Sequence, residues 1–258
     1  MASILEQVDS KLPKDASLVL LGEYGSSAHD VMIDSSDFDY IGVAVEPSNA
    51  IFGLENYEHT VLKEKASGVA SAANDEEGTI YSLKKFARLA EAGNTAIVSA
   101  LYLPKYEVLT EVGEMLIAER NIFLSRSILK RFGGHLITER RRMNGDIREK
   151  VLRPALIEKF GFDTKAAYQA VKLGIHGRRF ALLGTMEIPF TGEEKEFILA
   201  IRRGEIALSV IDEFLAQIIV QLDEQAKIST VLPENTDRSG INTLLQRAYK
   251  ITYGLSIS

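Results

Sequence analysis

Two aspartates one residue apart, Asp37 and Asp39, follow a short turn that contains Gly25 and Ser26. Side chains alternate between the two faces of a β-strand, so both aspartates are expected on the same face. Two carboxylates held side by side repel each other, and a fold rarely places them together for stability alone. A divalent cation relieves this repulsion, and Mg²⁺ prefers hard oxygen ligands of this kind. The pattern therefore predicts a metal site for Mg²⁺, with Mn²⁺ as the alternative ion.

The segment before the aspartates predicts a binding turn beside this site. Residues 17–21, Ser-Leu-Val-Leu-Leu, have the composition of a short buried strand. They lead into residues 22–27, where two glycines allow the backbone to approach a ligand closely. If a helix begins near Ser26 or Ser27, its free N–H groups can donate to phosphate oxygens. The predicted site therefore combines a phosphate-binding turn with a metal-binding pair.

These residues resemble the signature of the DNA polymerase β superfamily of nucleotidyltransferases. The longer strings Gly-Ser-Ser-Ala-His at 25–29 and Ser-Asp-Phe-Asp-Tyr-Ile-Gly-Val at 36–43 resemble, more narrowly, a bacterial and phage branch, the RNA-repair-pathway polymerase β family. Residues 79–94 and the Ile-Arg-Arg-Gly motif at 201–204 resemble later parts of the same family. The likeness covers most of the chain, from residue 18 to residue 222.

The residue pattern and the resemblance together predict an α/β (α+β) fold. A small mixed-sheet nucleotidyltransferase core is expected at residues 1–105, followed by a mainly helical domain at 106–258. The resemblance implies an enzyme that transfers a nucleoside monophosphate from an NTP to an acceptor hydroxyl by a two-metal mechanism. It also implies an RNA acceptor, for example the 3′ end of a tRNA.

The resemblance further assigns nucleotide binding to residues outside the aspartate pair. Gly25 and Ser26 are expected to position the β- and γ-phosphates, with Ser27 beside them. His29 is a candidate contact to phosphate or base, and a surface histidine is the alternative. Basic residues that match family positions in the later helices are the remaining phosphate candidates: Lys165, Lys172, Arg202 and Arg203.

A third carboxylate completes the metal site in the superfamily and acts as general base on the attacking hydroxyl. The candidates in this chain are Asp75, Glu76 and Glu77. Alignment by eye to the family's acid before the Thr-x-Tyr pattern favours Glu77. A solvated acidic loop is the alternative, because Asn-Asp-Glu-Glu-Gly is also ordinary loop composition.

Departures from the family pattern keep a second hypothesis open. His29-Asp30 stands where members commonly have an aromatic-Gly pair, and Asn94-Thr95 stands where they have Asn-Pro. Gln169 and Lys172 occupy positions where a His and an Arg are expected. A different acceptor, such as a protein side chain or a small molecule, accommodates these changes, and so does a catalytically weak nucleotide-binding or regulatory module. The intact pair of Asp37 and Asp39 favours the enzyme.

Composition excludes several other classes. The chain has no cysteine, which excludes a disulfide partner and thiolate metal sites. No stretch approaches the roughly 18 apolar residues of a membrane span, and no basic region precedes an apolar core at the start of the chain. We therefore expect a cytoplasmic protein. The net charge of −6 argues against a protein that coats nucleic acid generally, while a local basic groove stays open.

Hydrophobic periodicity predicts the secondary structure. Strands are expected at 18–22, 37–45, 58–63 and 79–80, and helices at 4–12, 82–92, 108–120, 125–144, 164–183, 193–203 and 208–228.

Overall fold

A computed structural model of the chain describes residues 4–34, 36–62, 76–145 and 153–254. These residues form two compact units. The first lies within Met1–Phe123 and Thr236–Ser258, and the second lies within Leu124–Asn235. A mixed sheet belongs to the first unit and helices make up the second, so the expected α/β class is confirmed.

The sheet of the first unit is built from strands that run in both directions. Its strands are β1 (Ser17–Tyr24), β2 (Phe38–Val45), β3 (His59–Val61), β4 (Glu76–Ser82) and β5 (Val108–Leu109). Their order across the sheet is β3-β4-β2-β1-β5. The pair β2–β4 is parallel, whereas β1–β2, β1–β5 and β3–β4 are antiparallel. The central strands β1 and β2 are apolar runs because the side chains on both faces are covered, as Leu20, Leu21, Val43 and Ala44 illustrate.

Helices surround this sheet and form the second unit. Among the described residues they are α1 (Ile4–Lys11), α2 (Gly25–Ala28), α3 (Ser48–Phe52), α4 (Leu83–Glu91), α5 (Thr95–Ser99), α6 (Glu111–Ala118), α7 (Ser127–Met143), α8 (Pro154–Phe160), α9 (Thr164–Leu183), α10 (Gly192–Arg202), α11 (Leu208–Ile228) and α12 (Arg238–Tyr253). Within the described ranges, no helix combines the length and apolarity needed to cross a membrane.

The packing of the second unit depends on small residues where helices approach one another. α9 packs against α7 and α11. A Cβ added at Gly177 would lie 2.9 Å from Leu222 Cδ1 and 3.1 Å from Phe132 Cβ. A larger residue at this position would displace the end of the Leu222 side chain and crowd Phe132, because interiors are packed without spare space.

Most predicted elements are confirmed with small changes at their ends, and one is wrong in its first residues. The helix expected at 108–120 begins only at Glu111, because Val108 and Leu109 form β5 against the edge of β1. An amphipathic pattern does not distinguish a two-residue strand from a first helical turn. The helices α3, α5, α8 and α12 lie in segments where no helix was predicted.

The compact units divide the chain differently from the predicted domains. Residues 106–123 pack with the sheet, and so does α12. Compactness alone does not establish a unit that folds independently, so the domain division after residue 105 stays a prediction.

A buried carboxylate connects α12 to the sheet. Glu46, at the end of β2, is 4 % exposed. Its Oε1 accepts a hydrogen bond from the backbone N–H of Lys84 (2.9 Å), and its Oε2 accepts one from the hydroxyl of Tyr249 (3.0 Å). The hydroxyl of Tyr253 donates to the backbone carbonyl of Glu46. Burial and the neighbouring Glu46 carboxylate raise the pKa of Tyr249 above its ordinary value, so this phenol stays protonated as a donor.

We expect Tyr249→Phe to lower the free energy of unfolding by about 1.5–3 kcal/mol, because a buried carboxylate loses one of its donors. Thr243→Ala, on the same helix, removes a hydroxyl that donates only to the Ser239 carbonyl at an exposed position, and should change stability by less than about 0.5 kcal/mol. Urea unfolding, with amide exchange of α12 as a local probe, measures both variants. Equal stability of Tyr249→Phe and the wild type would contradict this role of Glu46.

Candidate active site

Three carboxylates come together at one end of the central strands. In the sheet register, Asp39 on β2 lies opposite Tyr24 on β1 and Glu77 on β4. One carboxylate oxygen from each of Asp37, Asp39 and Glu77 lies within 4.8 Å of the others. All three residues are at least partly buried, so their mutual repulsion is only partly screened by water. The donor set consists of hard oxygens and fits a divalent cation such as Mg²⁺ or Mn²⁺.

The third carboxylate is selected by the direction of its side chain. The acidic segment is not a solvated loop where it is described, because Glu76 and Glu77 belong to β4. Successive residues of a strand point to opposite faces. Glu76 accepts a hydrogen bond from Gln7 Nε2 (3.1 Å), whereas Glu77 joins the aspartates. Asp75 lies outside the described residues.

The turn before the aspartates is held directly against one of them. Gly25 has φ +79°, in the left-handed region that favours glycine. A Cβ at this position would lie 2.5 Å from Asp39 Oδ2. The short helix α2 begins at Gly25, one residue before the predicted start, and Ser26 within it is 7 % exposed. Glycine is therefore required at position 25 both for its backbone conformation and for the space beside Asp39.

The buried ring of His29 holds this turn by a hydrogen bond to its backbone. The ring is 1 % exposed, so it is not a surface histidine. Its Nδ1 lies 2.5 Å from the carbonyl oxygen of Gly25. Because a carbonyl oxygen only accepts hydrogen bonds, Nδ1 carries a proton and donates it to this bond. The ring also packs edge-to-face against Tyr24. Contact of His29 with a nucleotide stays a prediction.

The four basic residues predicted for nucleotide binding lie in the second unit, in three different environments. Lys172 and Arg202 are buried and both contact one ring: Lys172 Nζ is 5.5 Å and Arg202 Cζ is 4.5 Å from the ring centroid of Tyr168. Arg203 forms a surface ion pair with Glu205 at 2.7 Å. Lys165 lines a cavity. Their nucleotide contacts stay a prediction.

This cavity is a feature that the sequence analysis missed. It has a volume of about 220 Å³ and is lined by His135, Glu139, Arg142, Arg153, Lys165 and Gln169. Burial lowers the pKa of His135; Glu139 opposes this shift, while the positive charges of Lys172 and Arg142 reinforce it. His135, Glu139 and Arg142 are spaced i, i+4, i+7 along α7, and this spacing is the signal that could have revealed the cavity.

Comparison with known proteins gives one match. The model of the RNA repair pathway DNA polymerase beta family matches residues 2–247, a range that includes the three carboxylates and the cavity. No curated protein and no solved structure matches the chain.

We expect Gly25→Ala to weaken Mn²⁺ binding by about tenfold or more, the usual scale for disturbing a group that orients a metal ligand, because the new methyl group displaces Asp39. Gly161→Ala is the matched control, since Gly161 has φ +83° and a Cβ there would meet no described heavy atom within 4 Å. Both variants carry the backbone cost of about 1 kcal/mol, and only Gly25→Ala should affect the metal. Titration with Mn²⁺ followed by electron paramagnetic resonance tests this; unchanged binding by Gly25→Ala would refute the proposed link.

Proposed function

The chain belongs to the RNA repair pathway DNA polymerase beta family, and we propose that it is an Mg²⁺-dependent nucleotidyltransferase that uses Asp37, Asp39 and Glu77. It transfers a nucleoside monophosphate from an NTP to an acceptor hydroxyl. The observation that carries this proposal is the meeting of three carboxylate oxygens within 4.8 Å, next to the turn at Gly25.

The proposed reaction assigns a distinct task to each part of the site. Asp37 and Asp39 would hold the Mg²⁺ that binds the triphosphate, and Gly25, Ser26 and Ser27 would orient its β- and γ-phosphates. Glu77 accepts the proton of the attacking hydroxyl. The hydroxyl oxygen forms a bond to the α-phosphorus as the bond from the α-phosphorus to the bridging oxygen breaks, and pyrophosphate leaves. Mg²⁺ ions held by Asp37, Asp39 and Glu77 would, when bound, supply positive charge that stabilises the attacking and leaving oxygens of this in-line displacement.

Membership of the family implies nucleotide and nucleic-acid substrates. We propose an RNA end as the acceptor, with the 3′ end of a tRNA as the specific case. A protein side chain or a small molecule is the alternative acceptor, and identification of the labelled product decides among them.

The buried position of His29 supports an enzyme over a weak nucleotide-binding module. His29 departs from the family pattern, but its ring supports the carbonyl of Gly25 beside Asp39. Because His29 holds the turn beside Asp39, this departure from the family pattern does not remove a part of the proposed active site. The decisive experiment is incubation with each labelled NTP, Mg²⁺ or Mn²⁺, and total RNA, followed by identification of the labelled species. Failure of every NTP to label an acceptor or release pyrophosphate would favour the binding module.

The double variant Asp37→Asn/Asp39→Asn should abolish transfer without loss of the fold. Removal of two like charges relieves repulsion, so the metal-free protein should be at least as stable as the wild type. Transfer of labelled nucleotide and urea unfolding in EDTA measure the two effects. Asp34→Asn, an exposed carboxylate shortly before the pair, is the control and should keep full activity. A double variant with wild-type transfer would rule out the proposed site.

Glu77→Gln should retain most NTP affinity and lose about 10²-fold or more in turnover, the usual scale for loss of a general base. Glu76→Gln is the matched control on the same strand, because its side chain bonds to Gln7 and should contribute little to turnover. Single-turnover rates with the acceptor identified above separate chemistry from binding. The assignment of the third acid fails if Glu77→Gln reacts at the wild-type rate or if Glu76→Gln is the slower variant.

A further inference from the structure

We propose that the cavity of the second unit is a phosphate-binding pocket in which the carboxylate of Glu139 competes with the phosphate group for Arg142. This proposal deepens the proposed function. It rests on that function only for the origin of the phosphate, which is a nucleotide or an RNA end. All six lining residues belong to the second unit.

Two matched rows of side chains supply the pocket. On α7, His135, Glu139 and Arg142 follow one another at helical spacing; on α9, Lys165 and Gln169 do the same, with Lys172 one turn further. Residues at i, i+4 and i+7 share a helix face, and α7 and α9 pack against each other. The two rows therefore line one cavity between adjacent helices.

The charge of the pocket favours an anion. Among the described residues of the lining, Arg142, Arg153 and Lys165 contribute three positive charges, against one negative charge from Glu139. Arg153 also pairs with Asp163, at 3.0 Å. Asp163 already caps α9 by accepting from the backbone N–H groups of Lys165 (2.9 Å) and Ala166 (3.0 Å). Because this carboxylate is also engaged by the helix, the lining keeps a surplus of positive charge.

Glu139 has the features of an internal substitute for the ligand. It is 8 % exposed, accepts a hydrogen bond from Arg142 Nη1, and lies 3.8 Å from His135 Nε2. A carboxylate and a phosphate present similar oxygens to the planar fork of an arginine, so one can replace the other on Arg142. Release of Arg142 from Glu139 adds a donor for the incoming group.

The size and donors of the pocket fit a phosphate or diphosphate. A volume of about 220 Å³ is many times the roughly 10–15 Å³ that a cavity needs to hold one water molecule. Arg153 and Lys165 supply charged donors, and the amide of Gln169 supplies a neutral one. Phosphate oxygens accept from all of these groups.

Calorimetric titration of the full chain with pyrophosphate in EDTA tests the pocket. Without metal, the three carboxylates of the first unit repel anions, so binding reports on the second unit. Lys165→Gln and Arg153→Gln should each weaken binding by about tenfold, the scale of a lost charge-assisted hydrogen bond. Glu139→Gln should tighten binding by about tenfold, because the competing carboxylate becomes neutral. A purely structural role for Glu139 predicts no gain.

Charge-matched controls come from a surface pair of the same unit, Lys227 and Asp223, which are 65 % and 64 % exposed. Lys227→Gln and Asp223→Asn change the net charge by the same amounts as the test variants and should leave pyrophosphate binding unchanged. The proposal is overturned if the wild type does not bind pyrophosphate. It is overturned equally if Lys165→Gln and Arg153→Gln bind it as the wild type does, or if Glu139→Gln binds it no more tightly.

The origin of the phosphate is decided with one short RNA carrying a 3′-phosphate, a 5′-phosphate or hydroxyl groups at both ends. Tighter binding of a phosphorylated form that depends on Lys165 identifies an RNA end; equal binding of all three, with pyrophosphate still bound, identifies a free polyphosphate. These titrations contain no metal and no transfer step. If the wild type transfers no nucleotide but Glu139→Gln still binds pyrophosphate more tightly, only the proposed function is refuted. If the wild type transfers nucleotide but Glu139→Gln binds pyrophosphate no more tightly, only the pocket is refuted.

Discussion

The parallel pairing of β2 with β4 is the constraint on which the rest of the first unit depends. It places Glu77 opposite Asp39, while β1, on the other side of β2, brings Tyr24 and the turn at Gly25 to the same end. Three like charges at one strand end are unfavourable by themselves. The apolar interior behind them, with Leu20, Val43 and Ile80 fully buried, supplies the stability that holds the acids in place.

The two units treat buried charge in opposite ways. In the first unit, carboxylates are gathered with one another, which makes a bound cation the natural counterion. In the second unit, cations are gathered around a carboxylate of the chain itself, Glu139, and around the ring of Tyr168. The first arrangement needs an external charge for relief, whereas the second already contains part of its own compensation.

The sequence predicted those features that depend on residues close together in the chain, such as the ends of helices. The ends of α9 follow from Asp163 as N-cap and Gly184 as C-cap, and both were predicted correctly. The family resemblance favoured Glu77 over Glu76, but the physical reason for this choice is the register of β4, which depends on pairing with a distant segment. The cavity could not be predicted because it lies between α7 and α9. Residue spacing identifies one face on each helix but does not show that the two faces meet. The strand β5 was missed for a similar reason, because Val108 and Leu109 form a strand by pairing with the edge of β1, a distant segment.

The place of α12 in the chain has a consequence for synthesis on the ribosome. Glu46 is made early, while its donor Tyr249 follows the whole second unit. At about 5–20 residues per second, Tyr249 is added roughly 6 to 25 seconds after Phe123. The second unit occupies one continuous stretch that is synthesised during this interval, and until it is complete the Glu46 carboxylate lacks the hydroxyl of Tyr249 as a donor. The strands of the sheet precede the second unit in the chain, yet the buried carboxylate beside them receives its Tyr249 donor only after that unit has been made.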